Sequence, residues 1–110
     1  MEVKAFYACH SKNDHVPASE PVHLDRDTAV SVAMQVLRDP HDFIGFVDEA
    51  GETIQFYYDE CGEIWMEFPC PSEGGSYGRH ISLEEVEAAV RDLPTRFTKT
   101  SIANSRFEKW

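Results

Sequence analysis

Residues 43–69 read "FIGFVDEAGETIQFYYDECGEIWMEFP". Three runs rich in aromatic and β-branched residues, "FIGFVD" (43–48), "TIQFYYD" (53–59) and "EIWMEFP" (63–69), are divided by "EAG" and "ECG". The acidic punctuation repeats: "DEAGE" at 48–52 returns as "DECGE" at 59–63. A three-residue hairpin loop commonly ends on a residue with positive φ, where glycine avoids the Cβ clash. Gly51 and Gly62 stand where that glycine is wanted. Calcium loops need oxygen ligands at alternating positions of a longer loop, which neither copy supplies. The repeat therefore predicts two hairpin turns of an antiparallel meander, with strands at about 43–48, 53–59 and 63–69.

The turns set the register. Asp48 opposite Glu52 pairs Phe46 with Ile54 and Ile44 with Phe56; Asp59 opposite Glu63 pairs Tyr58 with Ile64 and Phe56 with Met66. Side chains alternate faces along a strand. One face then carries Ile44, Phe46, Ile54, Phe56, Tyr58, Ile64, Met66 and Phe68, apolar but for one phenol, and is the expected core face. The other carries Phe43, Gly45, Val47, Thr53, Gln55, Tyr57, Asp59, Glu63, Trp65 and Glu67, with Tyr57 paired to Trp65 and Phe43 across from Tyr57. An aromatic row flanked by carboxylates on a second face is either covered by another segment or awaits a partner.

Helices flank the meander. Residues 26–38, "RDTAVSVAMQVLR", place Ala29, Val32, Ala33, Val36 and Leu37 at helical spacing, with Asp25 or Asp27 as cap and Pro40 beyond the end. A second helix over 83–93 starts with Ser82 and Glu85 in capping-box spacing and carries Leu83, Val86, Val90 and Leu93; Pro94 closes it. Residues 3–9, "VKAFYAC", are a further strand candidate, and "SKNDHVPASEP" (11–21) has loop chemistry. "PCPSEGGSYG" (69–78) reads as a flexible loop before a short edge strand "RHI" (79–81). The tail 94–110 is expected as an edge strand near 97–102 or an extended basic segment, paired at the sheet edge or laid over the aromatic row. These elements predict one α+β domain, with both helices packed on one sheet face.

The chain has 110 residues, a formal charge of −10 and 42% hydrophobic residues, enough for a self-sufficient core. Residues 39–78 hold ten acids and no lysine or arginine, whereas Arg96 to Trp110 hold four bases and one acid. An acidic middle repels phosphate backbones, so no nucleic acid is expected, and a basic protein partner fits it better. No apolar run approaches the roughly 20 residues of a bilayer span. "MEVKAFYACHSKND" lacks signal-peptide character, and three cysteines do not form a full disulfide set. A reducing, cytoplasmic setting is the expectation.

Catalytic patterns are thin. Cys9 and His10, with His15 and His23 nearby, lack metal-ligand spacing, and neighbours on a strand face opposite ways. Glu63 and Glu67 lie about 13 Å apart along one strand, wide for a glycosidase pair. Asp59 and Glu63 oppose each other across a turn with nothing to bury them, and "GGSYG" (74–78) lacks the lysine of a phosphate loop. Cys61, Cys70 and His80 read as incidental or structural. No cofactor, metal or catalytic residue is expected.

The segments "GETIQFYYDECGEIWMEFPCPSEGG" (51–75) and "ISLEEVEAAVRDLPTRF" (81–97), with the closing "FEKW" (107–110), resemble the small immunity proteins of bacterial polymorphic toxin systems. The resemblance spans about residues 26–110; "PTRFTKTSIANSRFEKW" (94–110) is longer and more basic than the connector typical of that family. It implies a cytoplasmic protein that blocks a cognate toxin by binding it, without cofactor or catalysis. The expected surface is the second sheet face: Phe43, Gln55, Tyr57, Asp59, Glu63, Trp65 and Glu67. Two other readings stay open. One is a small regulatory domain with a ligand pocket between sheet and helices; the other is a subunit that dimerises through the same face.

Overall fold

Asp48 and Asp59 organise their turns by the same bonds. The computed structural model describes residues 2–110. In the first turn, Asp48 N–H donates to the Glu52 carbonyl at 2.9 Å, and Asp48 Oδ1 accepts from the amides of Ala50 and Glu52. In the second, Asp59 N–H donates to the Glu63 carbonyl at 2.9 Å, and Asp59 Oδ1 accepts from the amides of Cys61 and Glu63. Gly51 and Gly62 both have φ of 85°, the left-handed conformation in which any Cβ is strained. The acidic repeat thus encodes two turns in which an aspartate side chain bonds the backbone ahead of it.

The strands of the meander follow as Phe43–Val47 (β4), Thr53–Tyr58 (β5) and Ile64–Cys70 (β6). Their register pairs Phe46 with Ile54, Ile44 with Phe56, Phe56 with Met66 and Tyr58 with Ile64, as the turn positions require. Three strands precede them: Glu2–Cys9 (β1), Asp14–Val16 (β2) and Val22–Asp25 (β3). Two follow: Gly75–Ile81 (β7) and Arg106–Lys109 (β8). The sheet is antiparallel throughout, in the order β2-β1-β4-β5-β6-β7-β8, with β3 pairing the other half of β1 beside β2.

Helix α1, Arg26–Val36, is capped by Asp25, which accepts from Thr28 N–H at 2.8 Å. Beyond it, buried Asp42 accepts from the amides of His10, Arg38 and Asp39, closing the loop into β4. Helix α2, Leu83–Arg91, starts with the Ser82–Glu85 capping box, and both of its bonds are present. Arg26 reaches from the start of α1 to donate to the carbonyls of Val90, Arg91 and Leu93, so one guanidinium caps the end of α2. Both helices lie on one face of the sheet. There Ala29, Ala33, Val36, Val86 and Val90 join Ile44, Phe46, Ile54, Phe56 and Ile64 in one buried core.

The structure departs from the sequence expectation in three places. Val30 is buried where Val32 was expected; Val32 is half-buried, and Leu83 is exposed. Residues 75–78 are strand rather than loop, and β7 lies inside the sheet rather than at its edge. The glycines there are a packing requirement. A Cβ on Gly75 would stand 2.6 Å from the Phe107 ring, and one on Gly78 would press into the Met66 carbonyl and the Trp65 indole. Finally, residues 97–102 form no strand. Phe97 and Ile102 are buried in the core, and the edge strand begins only at Arg106. Among the described residues, no helix is long and apolar enough to cross a membrane.

Candidate functional site

Among the described residues, neither end of the chain runs across the face of the sheet opposite the helices, although Trp110 borders it. The N-terminal segment is a strand within the sheet, and β8 pairs along its edge. By the strand registers this face carries Phe6 on β1, Phe43 on β4, Gln55 and Tyr57 on β5, and Trp65 and Glu67 on β6. It continues with Ser76, Gly78 and His80 on β7 and Glu108 on β8.

Glycines let the rings lie down. The Phe6 ring occupies the space over Gly45, with Phe43 edge-on at 6.3 Å between centroids. The Trp65 indole lies across Gly78, where a Cβ would stand 2.7 Å from its Cζ2. Its Nε1–H donates to Glu67 Oε1 at 2.7 Å. Ser76 Oγ–H donates to the same oxygen at 2.8 Å, and Gln55 Nε2–H donates to Oε2. Three strands thus converge on one carboxylate, which holds the indole against the sheet. Glu67 is a positioning group for Trp65 as well as a negative charge on the face.

Histidines flank the row. His41, at φ 79°, sets its Nδ1 2.7 Å from the Tyr57 hydroxyl and its Nε2 3.5 Å from Glu60. His80 packs edge-on to Trp65, with centroids 5.0 Å apart, and its Nε2 lies 3.1 Å from Asp59 Oδ2. Burial raises the Asp59 carboxyl, but the Glu63 and Cys61 amides and the His80 imidazole outweigh it and hold the group below its usual range. Glu63 is exposed, and its carboxylate has no partner among the described residues. One ligand atom each from Asp59, Glu63 and His80 lies within 4.8 Å of the others. Asp59 Oδ1 is bonded to two amides, and its Oδ2 meets the histidine.

Two shallow clefts adjoin on this face and share Tyr57, Trp65 and Glu67. One, about 370 Å³, extends to Phe43 and Gln55. The other, about 380 Å³, extends over Asp59, Ser76 and His80 to Glu108 and Trp110, the last 66% exposed. The seven residues singled out from the sequence therefore lie on one face: six line these clefts, and Glu63 stands beside Asp59. Sequence reasoning missed Phe6, His41, Ser76, His80, Glu108 and Trp110. Five of these depend on which strands pair with β4 and β6 from outside the meander or on how the tail is held, and His41 on a loop closed by Asp42. The only available signal was a run of small residues at 74–78, which reads as a loop until something is packed upon it.

Other concavities lie elsewhere. One of about 390 Å³ runs past Lys4, His23, Arg26 and Phe97, and one of about 360 Å³ separates α2 from Met66 and Ile102. Compared with family models, with curated proteins and with solved structures, the chain has no match.

Proposed function

We propose that this chain is a non-catalytic binding protein that captures a basic protein partner on the open face of its sheet. In the form implied by the resemblance above, the partner is a toxin domain that it inhibits in the bacterial cytoplasm. The observation that carries the reading is a half-buried aromatic row on the sheet face away from both helices, within forty residues that hold no lysine or arginine. Held rings with carboxylates around them are the composition of interface hot spots, and surplus acid steers a basic partner toward them. The cysteines are free, in keeping with a reducing compartment.

The test is charge reversal at exposed positions. Glu60→Arg with Glu63→Arg alters the open face, while Glu84→Arg with Glu87→Arg alters the exposed side of α2. Both are compared with wild type for binding the product of the adjacent gene at several salt concentrations, and for protecting cells that express it. The reading expects the first pair to lose binding and protection, the second to keep both, and salt to weaken the wild-type complex. A complex indifferent to the first pair, or a wild type that only pairs with itself, would overturn it.

A further inference from the structure

We propose that the cleft between Tyr57, Trp65 and Trp110 is a receptor for an arginine side chain. This rests on the open face being the partner-binding surface and names the chemistry that it selects.

The walls come first. The chain has two tryptophans, and both line this cleft, facing Tyr57. Two of the rings are already oriented: the indole of Trp65 has one side on Gly78 and its N–H on Glu67, and the hydroxyl of Tyr57 meets His41. A ligand that stacks on them has little ring ordering left to impose. The charges come next. Asp59, Glu67 and Glu108 line the cleft and no lysine or arginine does, although Arg106, opposite Gly78 on the same face, pairs with Glu108 at 3.0 Å. Beside Asp59, Glu63 holds an unpartnered carboxylate, close enough that the two acids repel until a cation joins them.

The shape of the required cation follows from what is already occupied. Asp59 and Glu67 have spent their best-placed lone pairs on amides, His80, Trp65, Ser76 and Gln55. What remains is spread around the edges of the aromatic surface. An ammonium is a compact, strongly hydrated point charge with no flat face to lay on the rings. A guanidinium is flat and weakly hydrated, carries five donors at its edge and stacks on indole and phenol rings. It can lie on Trp65 or Tyr57 while its N–H groups turn to the carboxylates at the cleft edge, where Glu63 stands beside Asp59.

The two indole N–H signals in an amide NMR spectrum report on this site alone, because both tryptophans line it. Wild-type protein is titrated with acetyl-Gly-Arg-Gly-Arg-Gly-amide and with the same peptide carrying lysine or uncharged citrulline, at constant ionic strength. The arginine peptide is expected to move both indole signals and to bind about tenfold more tightly than citrulline and about threefold more tightly than lysine. Trp110→Ala and Glu63→Gln, both at exposed positions, should each weaken it about three- to tenfold with an unchanged melting temperature. Equal binding of arginine and lysine, equal binding of arginine and citrulline, or indole signals that never move would each overturn the assignment. Should that happen while Glu60→Arg with Glu63→Arg still abolishes partner capture, the arginine receptor falls and the binding face stands. If capture is also indifferent to that pair, both fall.

Discussion

Changing Asp48 to asparagine removes one charge and turns one acceptor into a donor at the junction of three segments. Asp48 is 6% exposed. Its Oδ1 accepts from Ala50 N–H at 2.9 Å and Glu52 N–H at 2.8 Å, and its Oδ2 accepts from Phe97 N–H at 2.7 Å. An asparagine amide keeps one oxygen and sets an NH2 where the other was. The less costly orientation keeps the two turn bonds and points NH2 at the Phe97 amide, stranding a buried donor at a cost of about 1–3 kcal/mol. The two remaining bonds lose their charge assistance, about half their strength. The sum is roughly 3 kcal/mol, against a total stability of about 5–15 kcal/mol for a domain. Urea titration followed by circular dichroism measures it as a lower midpoint with an unchanged slope. The control is Asp59→Asn, which has the same turn bonds but lies nearer solvent and bonds no amide from the C-terminal segment. If both substitutions cost the same, or if Asp48→Asn costs under about 1 kcal/mol, the Phe97 bond does not hold the tail as described.

Three further outcomes are expected. Gly78→Ala forces a methyl against the Met66 carbonyl and the Trp65 indole and should cost about 2 kcal/mol or more, with a shifted tryptophan emission. Gly45→Ala meets only the far end of the Phe6 ring, which can swing away, and should cost less; a reversed order of the two midpoints would refute this account. Arg26→Ala uncaps α2 and should lower stability by about 1–2 kcal/mol, read as a lower urea midpoint; an unchanged midpoint would refute the cap. Toward acid, Asp25 is held below its usual range by the Thr28 amide, Glu73 by the Tyr77 hydroxyl and Glu85 by the Ser82 amide; at Asp59 bonding outweighs burial to the same effect. Depressed carboxyls contribute stability above their unfolded values, about pH 4, and lose it as pH falls through the folded ones. Melting temperature should therefore be flat toward pH 5 and drop below about pH 4, less steeply for Asp25→Asn; an unchanged slope in that variant would refute the assignment.

Much of the meander was legible because its signals are local. Alternation of side chains assigns each residue of 43–69 to a face once a turn is placed, and the turns are placed by a glycine three residues after an aspartate. The Asp48 and Asp59 side chains then bond the backbone within four residues of themselves, so the repeat carries its own geometry wherever it folds. The same holds for Asp25 and for the Ser82–Glu85 box, where the partners are three residues apart. The sorting of aromatic and acidic residues onto the second face was readable for the same reason.

Tertiary structure decided what those identical local units are for. Asp48 and Asp59 head matching turns, yet one lies against the C-terminal segment and gives its second oxygen to Phe97, while the other stands on the open face and gives it to His80. Strand alternation already sets them on opposite faces, but the partners of their second oxygens lie 49 and 21 positions along the chain. Residues 75–78 read as a loop because glycine is a weak strand former, and they became strand because Trp65 and the β8 backbone occupy the space a side chain would need. The row itself was in the sequence as Phe43, Tyr57 and Trp65. The cleft was not, because its far wall comes from β7 and β8 and its ring is pinned by a carboxylate shared among three strands. Short-range order follows from steric rules and adjacent hydrogen bonds, which a sequence displays; a site is a meeting of distant residues, which only the folded sheet brings about.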